Sequence, residues 1–95
     1  PVLPELPTFA ESGYPTFESI AWFGLVAPAG TPRALLDRIG ADVAMVVNAP
    51  EIRDQKLADQ GLEAYALAPD AFAHLVKRDA EKFSRLIKQT GAKAD

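Results

Sequence analysis

Trp22-Phe23-Gly24-Leu25-Val26-Ala27-Pro28-Ala29-Gly30-Thr31-Pro32 is the stretch on which the fold reading turns. From Trp22 to Ala27 every residue but Gly24 is apolar, the pattern of a strand covered on both faces. Pro28-Ala29-Gly30 ends that strand, and Thr31 followed by Pro32 is the N-cap and first-turn pairing that opens a helix. Neighbouring strand residues point to opposite faces, so Trp22 and Phe23 enter different surroundings: core on either side or, for Trp22, a pocket wall at the strand start. Such a strand needs partners, and the rest of the chain offers few.

On the N-terminal side, proline at positions 1, 4 and 7 reads Pro1 to Pro7 as an extended linker. Thr8-Phe9-Ala10-Glu11 follows as a capping box, with Gly13 as a left-handed exit and Pro15 forbidding continuation, so a helix of one or two turns is expected. Ser19 to Ala27 is then the principal strand. On the C-terminal side a helix is expected over Pro32 to Asn48, with Leu35, Leu36, Ile39, Val43, Val46 and Val47 on one face. A shorter helix from Pro50 to Gln60 stops at Gly61, and Leu62 to Leu67 is a second, short strand in which Tyr65 and Leu67 alternate with Ala64 and Ala66. Pro69 opens the last helix after Ala68, a poor cap, and Gly91 closes it. Its stripe is Phe72, Leu75, Val76, Ala80, Phe83, Leu86 and Ile87, and Glu81 stands four residues before Arg85 as an ion-pair partner. Three helices and two strands give an α/β class, helices packed on a small partial sheet. Two strands alone are marginal, so that sheet is a remnant of a larger one or is completed by a second chain.

Composition limits the functions open to the chain. Ninety-five residues, 48% hydrophobic and 24% charged, suit one globular domain burying about 60 to 65% of its unfolded surface. Ten basic against thirteen acidic residues leave a net charge of -3, which argues against nucleic acid or anionic lipid as partner. The absence of cysteine excludes a disulfide framework and a thiolate metal site but leaves the compartment open. No window approaches the roughly 18 consecutive apolar residues of a membrane span, and the first residues lack a signal-peptide pattern. With no initiating Met and three prolines in the first seven residues, the chain is expected to be a fragment of something longer.

Catalytic chemistry finds little footing. His74, the sole imidazole, has Asp70 four residues earlier, which reads as a surface pair, because a general base needs a pocket. Nucleophile elbow, metal-ligand spacing and Walker loop are all absent, so no enzyme, catalytic residue, metal or cofactor is expected. Ala29-Gly30-Thr31 before a helix resembles an anion cradle, but Pro32 removes one of its amides and a structural turn is the better reading. Lys77, Arg78, Lys82, Arg85 and Lys88 form a basic face on the last helix. It lacks interleaved aromatics and is offset by Asp70, Asp79 and Glu81, as a solvated face would be.

Two ordered motifs carry a resemblance: Leu3-Pro4-Glu5-Leu6-Pro7-Thr8-Phe9-Ala10-Glu11-Ser12-Gly13, then Trp22 through Pro32 as quoted. With Ala49-Pro50-Glu51-Ile52-Arg53, Gln60-Gly61 and Pro69-Asp70-Ala71-Phe72, they resemble the C-terminal third of the tripartite tricarboxylate transporter receptors, the Bug family of extracytoplasmic solute-binding proteins. Departures are local: Ala49 stands where an acidic cap commonly precedes the proline, and Ala68 where a serine often does. The resemblance implies a C-terminal fragment of a type II periplasmic binding fold, a two-lobed receptor that closes on a small carboxylated solute and delivers it to a membrane permease. On that mapping residues 1–17 are an inter-lobe connecting segment with a short helix. Residues 18–95 complete the first lobe, with the strand around Ser19–Ala27 crossing the hinge. Trp22 then lies nearer the ligand than Gly30 and is the one ligand-binding candidate, while the groups that grip the carboxylate lie upstream. A periplasmic location is implied, and an uncovered sheet edge would allow a homodimer. The rival reading is a stand-alone helical interaction module that homo-oligomerises through its apolar stripes.

Overall fold

Proline and glycine set nearly every element boundary in the computed structural model, which describes residues 3–94. The N-terminal motif forms two tight turns and no extended linker: Leu6 N–H donates to the Leu3 carbonyl at 3.1 Å across Pro4-Glu5, and Phe17 N–H to the Tyr14 carbonyl at 3.1 Å across Pro15-Thr16. Proline at the second position presets both turns. Pro1 and Val2, the start of the expected linker, lie outside the described residues. Between the turns the capping box closes as expected, Thr8 N–H donating to Glu11 Oε2 at 2.8 Å and Glu11 N–H to Thr8 Oγ1 at 3.2 Å. Only a single turn follows before Gly13, at φ +101°, reverses the chain. The ring of Phe17 meets that of Phe9 edge-on at 4.9 Å.

Helix α1 spans Arg33–Asn48 and starts from the Pro32 carbonyl, which accepts from the Leu35 and Leu36 amides. Thr31 is not its cap, for its hydroxyl donates instead to the Pro28 carbonyl at 2.7 Å. Ala49 leaves the helix at ψ 132°, as the residue before a proline must. A π-helix at Glu51–Leu57 and a 3-10 turn at Ala58–Gln60 follow. They end in a Schellman arrangement around Gly61 (φ +69°): Leu62 N–H donates to Leu57 O and Gly61 N–H to Ala58 O, each at 2.9 Å. Helix α2 spans Pro69–Thr90 and is closed by Gly91, whose amide returns to the Ile87 carbonyl.

The α/β expectation is overturned: among the described residues all regular structure is helical, with no strand and no sheet. Ser19 to Ala27 has no backbone-to-backbone hydrogen bond, and Ile20, Phe23, Leu25 and Val26 are 63%, 84%, 71% and 90% exposed. The segment expected to be buried on both faces is covered on neither, apart from half-buried Trp22. Leu62 to Leu67 is likewise not a strand, and Tyr65 in it is exposed. The reason is that a ladder satisfies backbone groups pairwise, and neither segment has a partner within reach of its amides. The sheet edge expected to be uncovered is therefore absent among the described residues.

The helices pack against each other along one edge of each apolar stripe. In α1 Leu36, Gly40, Val43 and Val47 are half-buried, while Leu35, Ile39 and Val46 are exposed. In α2 the inward line runs Phe72, Leu75, Asp79, Lys82 and Leu86 at alternating three- and four-residue spacing, leaving Val76, Phe83 and Ile87 on the bare edge. The helices meet near Gly40 and Pro69, where a Cβ on Gly40 would stand 3.6 Å from the proline ring. Arg33 clamps them with a 2.8 Å bond to Asp70.

The fold that results is open. Its radius of gyration is 16.6 Å against about 12 Å for a compact domain of this length. Its accessible surface is 8377 Å², where a closed monomer of this mass exposes about 5,300 Å². The chain therefore buries only about 43% of its unfolded surface, well short of the fraction its length allows. Leu75 is the one buried apolar side chain among the described residues. Truncating it by Leu75→Ala is expected to cost about 2 to 3 kcal/mol in urea unfolding, whereas Val26→Ser leaves the midpoint in place; equal shifts for the two would contradict this division into core and bare surface.

Candidate functional site

Trp22, the sequence candidate, is where the extended segment attaches to α2. Its indole Nε1–H donates to Asp79 Oδ2 at 2.7 Å, and its ring meets Phe72 edge-on at a centroid distance of 5.3 Å and an interplanar angle of 86°. Asp79 lies one helical turn below Leu75 on the inward line of α2 and is only 6% exposed. Two residues beyond Trp22, the absence of a side chain at Gly24 admits the Phe72 ring, because a Cβ there would fall 2.4 Å from Phe72 Cζ. Lys82 Nζ donates to the Glu18 carbonyl at the other end of the attachment. Trp22 is half-buried against α2, whereas its neighbour Phe23 is exposed and enters no core.

Beside this attachment runs a shallow groove of about 480 Å³, lined by Ser19, Ile20, Ala21, Trp22, Val76, Asp79, Ala80 and Phe83. Across α2 a second groove of about 440 Å³ is lined by Tyr65, Leu67, Ala71, His74, Leu75, Lys77, Arg78 and Glu81. His74 does not form the expected pair with Asp70, whose carboxylate turns to Arg33 on α1. The Arg33 guanidinium holds Asp70 below the usual carboxylate range, aided weakly by His74. At the turn through Gly30, φ +86°, Thr31 gives both its amide and its hydroxyl to the Pro28 carbonyl. Of the basic face, Arg78 lies 3.4 Å from Asp79 and Lys82 is used on Glu18. The expected Glu81–Arg85 pair is not among the ion pairs of the described residues.

Asp79 is the residue that sequence reasoning missed. A carboxylate among helix cations reads as surface, yet position 79 stands seven residues after Phe72 and four after Leu75, on the inward line. A buried indole N–H also needs an acceptor, and that was the available signal. The chemistry of the arrangement is apolar contact plus one satisfied donor. No group of three or more metal-ligating side chains occurs among the described residues.

The sequence profile described as the tripartite tricarboxylate transporter family receptor matches residues 1–92. The chain belongs to this receptor family. The UPF0065 protein in the tcbD-tcbE intergenic region of Pseudomonas sp. (strain P51) is similar to it, 39% identical over 88 residues, which cover 92% of this chain and 26% of that protein. Protein BugT of Bordetella pertussis is 27% identical over 95% of this chain and 27% of its own length. The UPF0065 protein in the TAR-I ttuE-ttuC' intergenic region of Agrobacterium vitis is 28% identical over 95% of this chain and 27% of its own. The chain thus spans about a quarter of the length of these relatives. No solved structure matches it. A receptor family is a binding class and not an enzyme class, and no helix among the described residues is long and apolar enough to cross a membrane.

Charge on Asp79 is part of the attachment. The Trp22 N–H holds its pKa below the ordinary value against the opposing effect of burial, with Arg78 and Lys82 assisting. A carboxyl depressed by folding contributes stability above its unfolded pKa of about 3.9, and that contribution is lost as pH falls through the lower folded value. Acid titration of the fluorescence of Trp22, the sole tryptophan, is expected to show release of the indole with a midpoint below the ordinary aspartate range. A midpoint near neutrality would rule out this cause.

Proposed function

We propose that this chain is the C-terminal part of a periplasmic solute-binding receptor for small carboxylated solutes, which it serves to pass to the membrane permease of a tripartite tricarboxylate transporter. Residues 1–17 form the inter-lobe connecting segment, and residues 18–95 belong to the first lobe. The extended stretch around Ser19–Ala27 lies at the hinge, with Trp22 bordering the solute cleft. The observation that carries the reading is the bare apolar segment Ile20 to Val26, attached to α2 through side chains and left without backbone partners. Two further facts support it. The chain spans about a quarter of its relatives' length, and its surface exceeds that of a closed monomer by about 3,000 Å², as much as a large obligate interface buries.

Neither groove is enclosed, and the donors along the second one, His74, Lys77 and Arg78, are exposed on one helix face beside Glu81, which is like-charged to a carboxylate, and not closed around a buried point. The chain by itself is therefore a weak binder, and the grip on the carboxylate comes from elsewhere in the receptor. Calorimetric titration with citrate and succinate is expected to show no micromolar binding. Such binding by the 95-residue chain would refute this division of labour.

The second reading, a stand-alone helical module that self-associates, draws on the exposed edge of α1 at Leu35, Ile39, Met45 and Val46. It predicts a discrete oligomer that Ile39→Glu dissociates in sedimentation. The receptor reading predicts no change of mass from that substitution.

A further inference from the structure

The polar inventory around Trp22 does not balance on apolar packing alone. Position 79 sits on the inward line of α2 between Leu75 and Leu86, where a leucine would bury more apolar area and a carboxylate is costly unless it is used. Arg78, with its side chain 71% exposed and 3.4 Å away, is a loose partner, and Lys82 is committed to the Glu18 carbonyl. The short bond at Asp79 is the one its carboxylate accepts from the indole, at 2.7 Å. An indole has a single polar hydrogen and no acceptor, so one carboxylate oxygen satisfies it completely. Phe72, edge-on at 86°, blocks the swivel that this bond leaves open, and the bare backbone of Gly24 gives that ring its place.

We propose that Asp79 is the positioning residue for Trp22: its carboxylate occupies the indole N–H, fixes the ring, and leaves a solute only the face of that ring. This rests on the reading that Trp22 borders the solute cleft. The consequence is chemical. Trp22 cannot donate to a solute carboxylate, so it meets the hydrocarbon part of a di- or tricarboxylate, and the carboxylates are turned toward donors elsewhere in the receptor.

Because Trp22 is the sole tryptophan, an indole-selective proton–nitrogen spectrum of the chain contains one resonance to follow. In the wild type the N–H is expected downfield and slow to exchange with deuterium. Asp79→Ala moves it upfield and speeds exchange several-fold, while Asp79→Asn, which keeps an acceptor oxygen in place, retains most of the shift. Urea unfolding of the same variants separates this local effect from a loss of fold. An identical resonance and exchange rate in wild type and Asp79→Ala overturn the proposal. Should Asp79→Ala fail to fold, a wild-type N–H exchanging as fast as free tryptophan overturns it equally. Failure of the receptor reading shows itself elsewhere, as micromolar citrate binding in calorimetry.

Discussion

One hydrogen bond between residues 57 apart, from the Trp22 indole to the Asp79 carboxylate, holds the signature segment of this chain against its longest helix. Backbone hydrogen bonds contribute nothing to that docking, since none reaches Ser19 to Ala27. Side chains do it all: the indole on Asp79, Phe72 on Gly24, and Lys82 on the Glu18 carbonyl. Attachment through side chains has a consequence that ladder pairing would not. It leaves the amides and carbonyls of the segment free along their whole length while fixing where the segment lies.

The two helices repeat this one-sided economy. Each apolar stripe is wide enough for two contacts and makes one, so that Leu36, Val43, Phe72 and Leu75 are covered while Leu35, Ile39, Phe83 and Ile87 are not. A stripe of seven apolar positions on α2 is more than a two-helix contact can use, and a helix in a larger protein would spend the other edge on a further layer. The excess of exposed surface over that of a closed monomer is the sum of these bare edges and the bare segment. Membership of a receptor family in which the chain covers only 26% and 27% of the length of two relatives fits that geometry.

What could be read from the sequence was what local chemistry decides. The bounds of α1 and α2, the stop at Gly61, the exit at Gly91 and the reciprocal capping box at Thr8 and Glu11 all depend on a few adjacent residues, and all are present. The strands failed because a strand is not a local object. Trp22 to Ala27 has the composition of one, but its state depends on a partner that composition cannot provide. Trp22 was legible as a candidate because an indole at the head of an apolar run is conspicuous. Asp79 is not legible in that way, because apolar residues alone mark a stripe on α2 whose true axis passes through two charged ones, Asp79 and Lys82.

Why a carboxylate stands at position 79 follows from what a leucine could not do. The run Trp22-Phe23-Gly24-Leu25-Val26 is apolar throughout, and an apolar helix surface would accept several of its side chains with similar gain. A slip of one residue along the segment would present Phe23 to α2 in place of Trp22. Only Trp22 in that run carries a side-chain donor for Asp79. With Phe23 in its place the carboxylate would lose its short bond and keep only the loose 3.4 Å contact of exposed Arg78, which costs more than the difference between two aromatic contacts. A second selection comes from Gly24, since the Phe72 ring fits only where no Cβ intervenes, and the slipped register would set Leu25 there. Asp79 and Phe72 therefore choose one register out of an otherwise ambiguous apolar run, and that choice sends Trp22 to the helix and Phe23 away from it.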